Sequence, residues 1–246
     1  MSKKNRIRLF SFEALECGAL YAPHEAQSHY LKNVMRLKEG DEVFLFDGKN
    51  GEFKSVVCAN GKRNLHLEVK EKTADFCRSP DVWLLFAPLK KENTDLVIQK
   101  AVELGVRKIV PVMTEYAARI NLKAERVQTQ IIEAAEQSRR QDVPEAESLK
   151  SFDDVLKNWP KDRKLIYLNE TGEGNCFAEV CADLKAPAAL FVGPEGGFSK
   201  KELAILKNMP YTYSITLGKR ILRAETAAIA ALSCWQAFCG DWRTEK

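Results

Sequence analysis

Two stretches near the C-terminal end hold the residue types best suited to chemistry. One is Phe191-Val192-Gly193-Pro194-Glu195-Gly196-Gly197-Phe198-Ser199-Lys200-Lys201-Glu202, and the other is Leu217-Gly218-Lys219-Arg220-Ile221-Leu222-Arg223-Ala224-Glu225-Thr226. A glycine-rich turn serves either as a tight connection or as a phosphate cradle. The cradle reading has two features against it: no Lys-Ser/Thr pair follows at P-loop spacing, and Glu195 puts a carboxylate where a phosphate would sit. An acidic, glycine-lined loop suits a neutral or cationic ligand that needs close backbone contact. S-adenosylmethionine meets that description, because its adenine takes backbone hydrogen bonds and its sulfonium is positive. In the second stretch, Arg220, Arg223 and Glu225 can be salt-bridge partners with a first-turn glutamate that favours the helix dipole. They can also be a reaction site, with Arg223 stabilising negative charge on the group being alkylated and Glu225 orienting it.

These residues need elements that bring them together. Ala188 to Val192 is an apolar run that predicts a buried strand, and Ser199 with Glu202 makes a Ser-x-x-Glu capping box for a following helix. Ser214 to Leu217, the Gly218 break and a helix opening near Ala224 repeat that grammar. If the two strands are neighbours in one sheet, their loops converge at its carboxyl edge, where open α/β folds bind ligands. Further strands are predicted at 82–87, 108–113 and 165–169. The helices between them are predicted at 94–104 (ending at Gly105), 122–140 and 175–184, with others at 199–208 and 224–239. Alternation of apolar strands with helices predicts a mostly parallel sheet covered on both faces. Pro111 predicts an edge position or strand end. The last helix is apolar nearly all round, so it is either the central helix of the domain or a surface packed on a partner subunit.

The first seventy residues read differently. Asp47-Gly48 and Asn50-Gly51 favour hairpins between alternating segments, with a short helix within 23–35, the pattern of a small, partly closed barrel. Lys3, Lys4, Arg6, Arg8, Lys32, Arg36 and Lys38 concentrate there; singly they are solvated surface, and as a set they fit a phosphate-tracking face. A charged segment with Ser79-Pro80 predicts a linker, giving domains 1–72 and 73–246. The net charge of +4 permits a nucleic-acid partner. Seven cysteines without a CxxC pair and only three histidines argue against a metal site and predict buried thiols in a reducing cytosol. No secretory signal follows Met1, and the apolar run 227–239 is too short to span a bilayer, so a soluble, cytoplasmic protein is expected. His24, His29 and His66 lie away from the two C-terminal loops, which disfavours Ser–His or Cys–His catalysis.

The two C-terminal segments resemble the motifs of the RsmE family of SPOUT RNA methyltransferases. Gln99 to Val106, Ala134 to Arg140 with Val143-Pro144, and His29 to Leu37 followed by Gly40-Asp41 extend the resemblance over nearly the whole chain. It implies an N-terminal PUA-like β-barrel and a C-terminal α/β domain with a parallel sheet and a trefoil knot, which general topology would otherwise disfavour. It also implies an obligate homodimer, assigning the last helix to the interface. The implied activity is transfer of a methyl group from S-adenosyl-L-methionine to N3 of a specific uridine of 16S ribosomal RNA in the small ribosomal subunit. Arg223 and Glu225 are then expected to be catalytic. Leu168, Asn169, Glu170, Val192, Gly193, Pro194, Glu195, Gly196, Gly197, Leu217, Gly218, Ile221, Leu222 and Thr226 are expected to hold the cofactor. Arg6, Arg8, Lys32, Arg36, Arg140 and Arg220 are expected to contact RNA, with no metal. Another RNA target, or an RNA-binding assembly protein without catalysis, are the competing readings.

Overall fold

The alternating segments near the N-terminus form five strands: β1 (Arg8–Phe10), β2 (Leu20–Tyr21), β3 (Glu42–Phe46), β4 (Glu52–Asn60) and β5 (Leu65–Ala74). Helix α1 (Glu25–His29) runs into a π-helical turn at Tyr30–Val34. The structure, a computed structural model, describes residues 6–60, 65–184 and 187–243; Lys3 and Lys4 of the basic set lie outside the described residues. The strand order is β1-β3-β4-β5-β2, with β1 parallel to β3 and the other pairs antiparallel. Register shifts between β4 and β5 mark irregularities that bend the sheet. The result is a curled half-barrel around Leu9, Tyr21, Leu31, Val43, Leu45 and Leu67. Asp47 holds the β3–β4 connection: its carboxylate accepts from the amides of Leu15, Lys49 and Asn50 at 2.7–2.9 Å.

The chain divides into two compact units, one of Met1–Arg78 with Ala135–Val143, the other of Ser79–Ala134 with Pro144–Lys246. The chain therefore visits the first unit twice, which a single boundary near residue 72 does not describe.

The second unit contains β6 (Val82–Phe86), α2 (Lys91–Glu103), β7 (Lys108–Met113) and most of α3 (Ala124–Ser138). Then follow β8 (Glu145–Ala146), β9 (Lys150–Ser151), α4 (Phe152–Lys157), β10 (Lys164–Leu168), β11 (Asn175–Cys176) and α5 (Phe177–Asp183). Strand β12 (Ala188–Val192), α6 (Lys200–Asn208), β13 (Thr212–Thr216) and α7 (Ala224–Phe238) complete it. The sheet order is β11-β13-β10-β12-β6-β7-β8, and each of these pairs is parallel. All five residues of β12 are buried, which explains its unbroken apolar sequence. Leu85, Val110, Tyr167, Ala189 and Phe191 form one core layer with Phe152, Val155 and Trp159.

Several expectations are adjusted. Strands β12 and β13 are not neighbours, because β10 lies between them. Pro111 is at neither an edge nor a strand end: β8 pairs with Lys108 and Ile109, β9 with Val112 and Met113, and the proline falls in the gap between these two short partners. Helix α3 stops at Ser138 because Arg139 turns left-handed at φ 59°. Cys17, Cys58, Cys77 and Cys176 are exposed, so the thiols are not uniformly buried. Among the described residues no helix is long and apolar enough to cross a membrane, and no His/Cys/Asp/Glu cluster could hold a metal.

Candidate active site

In a parallel sheet every strand ends at the same edge, so adjacency in the sheet decides which loops meet. The order β13-β10-β12 places three loops side by side: 169–174 after β10, 193–199 after β12 and 217–223 after β13. With strands about 4.8 Å apart, the outer two are separated by about 10 Å across β10. Asn169 ties the middle loop to its neighbour. Its amide donates to the Ile215 carbonyl at 2.9 Å, and its side-chain amide donates to Ser214 Oγ at 3.3 Å and the Glu173 carbonyl at 2.8 Å.

The glycine turn is anchored from below. Phe198 packs edge-on against Phe191 and Tyr167 and approaches Gly193, while the Gly197 amide donates to the Pro194 carbonyl at 2.9 Å. Gly197 has a positive φ of 70°, and the space a Cβ would fill is taken by the Glu170 carboxylate. Glu170 from one loop therefore sits directly on the glycine backbone of the next. Glu170, Glu195 and Gly196 are exposed. A cationic nucleoside fits this lining: the exposed Glu170 and Glu195 bring two carboxylates to a turn whose glycines carry no side chain of their own. The Ser199–Glu202 capping box is formed, with Ser199 N donating to Glu202 Oε2 at 2.8 Å and Glu202 N donating to Ser199 Oγ at 3.3 Å. The second carboxylate oxygen of Glu202 accepts from the Glu115 amide at 2.9 Å.

That last bond brings in a loop the motifs did not mark. Residues 114–118 follow β7 at the same sheet edge, and Tyr116 packs beside Gly196. Its position just past an apolar strand was the only signal in the sequence.

On the third loop, Arg223 is the N-cap of α7, exposed, with no hydrogen bond or ion pair to its side chain among the described residues. Glu225 is buried in the first turn of α7, and its Oε2 has no hydrogen-bond partner among the described residues. The helix start also contributes unpaired amides and a positive dipole end. Leu217 and Leu222 are half-buried, Gly218, Arg220 and Thr226 are exposed, and Ile221 is 84% exposed.

The basic residues of the first unit separate into two kinds. Arg8 is buried; its Nε donates to Glu52 at 2.6 Å, and its two terminal nitrogens donate to the carbonyls of Ala135 (2.9 Å) and Arg140 (2.6 Å). Burial lowers its pKa, with Glu52 opposing. Arg140 is buried against Asp142 through bonds of 2.8 and 3.0 Å. Both guanidiniums are committed to internal acceptors, so neither is carried forward as an RNA contact. Arg6 pairs with Glu52 but stays partly exposed over the Phe44 ring; Lys32 is half-buried and Arg36 exposed.

Residues 77–236 match the family described as RNA methyltransferase domain, and residues 25–70 match the RNA methyltransferase PUA domain. The ribosomal RNA small subunit methyltransferase E of Rickettsia conorii is 36% identical over 233 residues, covering 94% of each chain. A methyltransferase from Legionella pneumophila, solved with bound SAM, is 30% identical and superposes with a TM-score of 0.86 over 97% of this chain and 100% of that one. The ribosomal RNA small subunit methyltransferase E of Neisseria gonorrhoeae, bound to S-adenosyl methionine, is 28% identical with a TM-score of 0.85 and the same coverage.

Proposed function

The chain belongs to the ribosomal RNA small subunit methyltransferase E family, and from that premise we propose that it methylates N3 of a specific uridine of 16S ribosomal RNA. The observation that carries the proposal is the β13-β10-β12 order, which sets the acidic glycine turn and the Arg223 turn on either side of one strand. S-adenosylmethionine, when bound, supplies a methyl group on a positively charged sulfur. The residues proposed to hold it are Leu168, Asn169 and Glu170, Val192 to Gly197, and Leu217, Gly218, Ile221, Leu222 and Thr226.

Uracil N3 carries a proton and is a poor nucleophile until that proton leaves. Loss of the proton spreads negative charge over the two flanking carbonyl oxygens. Arg223, exposed at the start of α7, is proposed to donate to one of them, and the α7 dipole adds to the same field. The open Oε2 of Glu225 is a buried acceptor two residues away, suited to orient the Arg223 guanidinium or receive the proton. Positioning in line with the methyl group supplies the rest of the rate. The proposal includes the threaded crossing implied by the family. In its support, the chain leaves β12 and returns as β13 beyond β10. It also includes a homodimer in the cytoplasm, and the half-accessible Ile229 and Ala230 with the exposed Phe238 on α7 support the dimer. Arg6, Lys32, Arg36 and Arg220 remain the proposed RNA contacts.

The test is incubation with labelled cofactor and small ribosomal subunits from a strain lacking the modification, then mass-spectrometric mapping. One N3-methyluridine in 16S RNA is expected. Label on another atom or another RNA, or no label, would overturn the assignment.

A further inference from the structure

We propose that Tyr116 is the residue on which the base being methylated stacks, an inference that rests on the function proposed above. A tyrosine ring buried in a core needs no functional explanation; this one is 53% exposed, at the carboxyl edge of the parallel sheet. Its Cβ, Cγ and Cδ2 lie 3.4–3.7 Å from where a side chain on Gly196 would begin, so the ring occupies the flank that this glycine leaves open.

The backbone that carries the ring is held by its neighbours on both sides. The Glu115 amide before it donates to Glu202 Oε1 at 2.9 Å, and Glu202 is itself fixed by the capping box of α6. After it, the Ala117 amide donates to the Thr114 carbonyl at 3.2 Å and the Ala118 amide to the Pro88 carbonyl at 2.9 Å. The backbone is thus pinned on both sides of an aromatic ring that meets solvent. The phenol has no hydrogen-bond partner among the described residues, so no polar contact accounts for the position. An enzyme that works on N3 must reach the Watson–Crick edge, and unstacked bases are commonly captured on aromatic faces. A solvent-facing ring on a pinned backbone beside the proposed cofactor turn provides that face, while Arg223 addresses the edge of the base from another loop.

Base–aromatic contacts measured by alanine substitution correspond to roughly tenfold to one-hundredfold in binding. For Tyr116→Ala, kcat/KM for unmodified small subunits is therefore expected to fall by about that factor. Cofactor affinity by calorimetry should stay within about twofold and the melting temperature should be unchanged. Tyr116→Phe keeps the stacking face and should retain nearly full activity; Tyr116→Leu keeps apolar bulk without it and should behave like alanine. Equal activity of the Leu and Phe variants overturns the inference, as does a Tyr116→Ala defect confined to cofactor affinity or no defect at all. In each of those cases wild-type enzyme still methylates the subunits, so the failure is separable from failure of the proposed reaction, in which wild type itself is inactive.

Discussion

The two edges of the parallel sheet use arginine in opposite ways. At the amino edge, Arg163 precedes β10, lies buried, donates to Asp81 at 2.9 Å and to the Ala188 carbonyl at 3.0 Å, and covers the Trp83 ring at 3.8 Å. Arg107 adds a second cation 3.4 Å from Asp81. These contacts join the starts of β6, β7, β10 and β12. At the carboxyl edge, Arg223 is exposed and makes no such bond among the described residues, while Glu225 keeps a buried oxygen open. An arginine whose terminal nitrogens are paired with internal acceptors holds the fold; one with no internal acceptor has capacity left for a substrate. Arg8 and Arg36 repeat the contrast within the first unit.

The largest effect should come from Arg223→Ala. Removing one donor to a developing oxyanion lowers kcat by about 10²–10³, and an exposed substitution should leave stability within about 0.5 kcal/mol. Activity retained within a few-fold would erase the distinction between the two edges. Arg163→Ala should do the converse. Arg163 is buried but Asp81 only half so. Losing a hydrogen bond to a charged group costs about 2 kcal/mol in urea unfolding, while activity per folded molecule is unchanged; an unaltered midpoint would show that the amino-edge network is not structural.

Acid should probe the same network. Burial alone would raise the Asp81 pKa, but the hydrogen bond and charge of Arg163, with Arg107, bring it below the usual carboxylate range. The folded carboxylate thus takes up its proton less readily than the unfolded one. Its stabilisation is present above the unfolded pKa of about 3.9 and is lost as pH falls through the lower folded value. Asp81→Asn should flatten stability against pH in that acid window, and an unchanged profile would contradict the pairing. The smallest effect concerns the first unit: Arg36→Gln should reduce the slope of log binding against log salt by about 1, whereas Arg8→Ala should lower stability without altering the slope.

What could be read from the sequence was local. Ser199 and Glu202 are three residues apart, so their capping box needed no knowledge of the fold. Gly105 was visible as a helix end and indeed follows α2 with a φ of 77°. The apolar runs of β6, β7, β10 and β12 were legible because a strand buried on both faces has little freedom in composition. Strand order was not, since nothing in residues 188–217 states that β10 is inserted between β12 and β13. Nor was the burial of Arg8, whose partner Glu52 is 44 positions away and whose carbonyl acceptors lie 127 and 132 positions away. Tyr116 escaped for the same reason: its meaning lies in touching Gly196, eighty positions later.

The central claim is that the loops after β10, β12 and β13 enclose one cofactor site. Hydrogen–deuterium exchange with and without S-adenosylmethionine tests it directly. Slowed exchange is predicted in 169–174, 193–199 and 217–223 together, with no change at the amino-edge segment around Asp81 and Arg163. Protection confined to a single loop, or found only elsewhere in the chain, would contradict it.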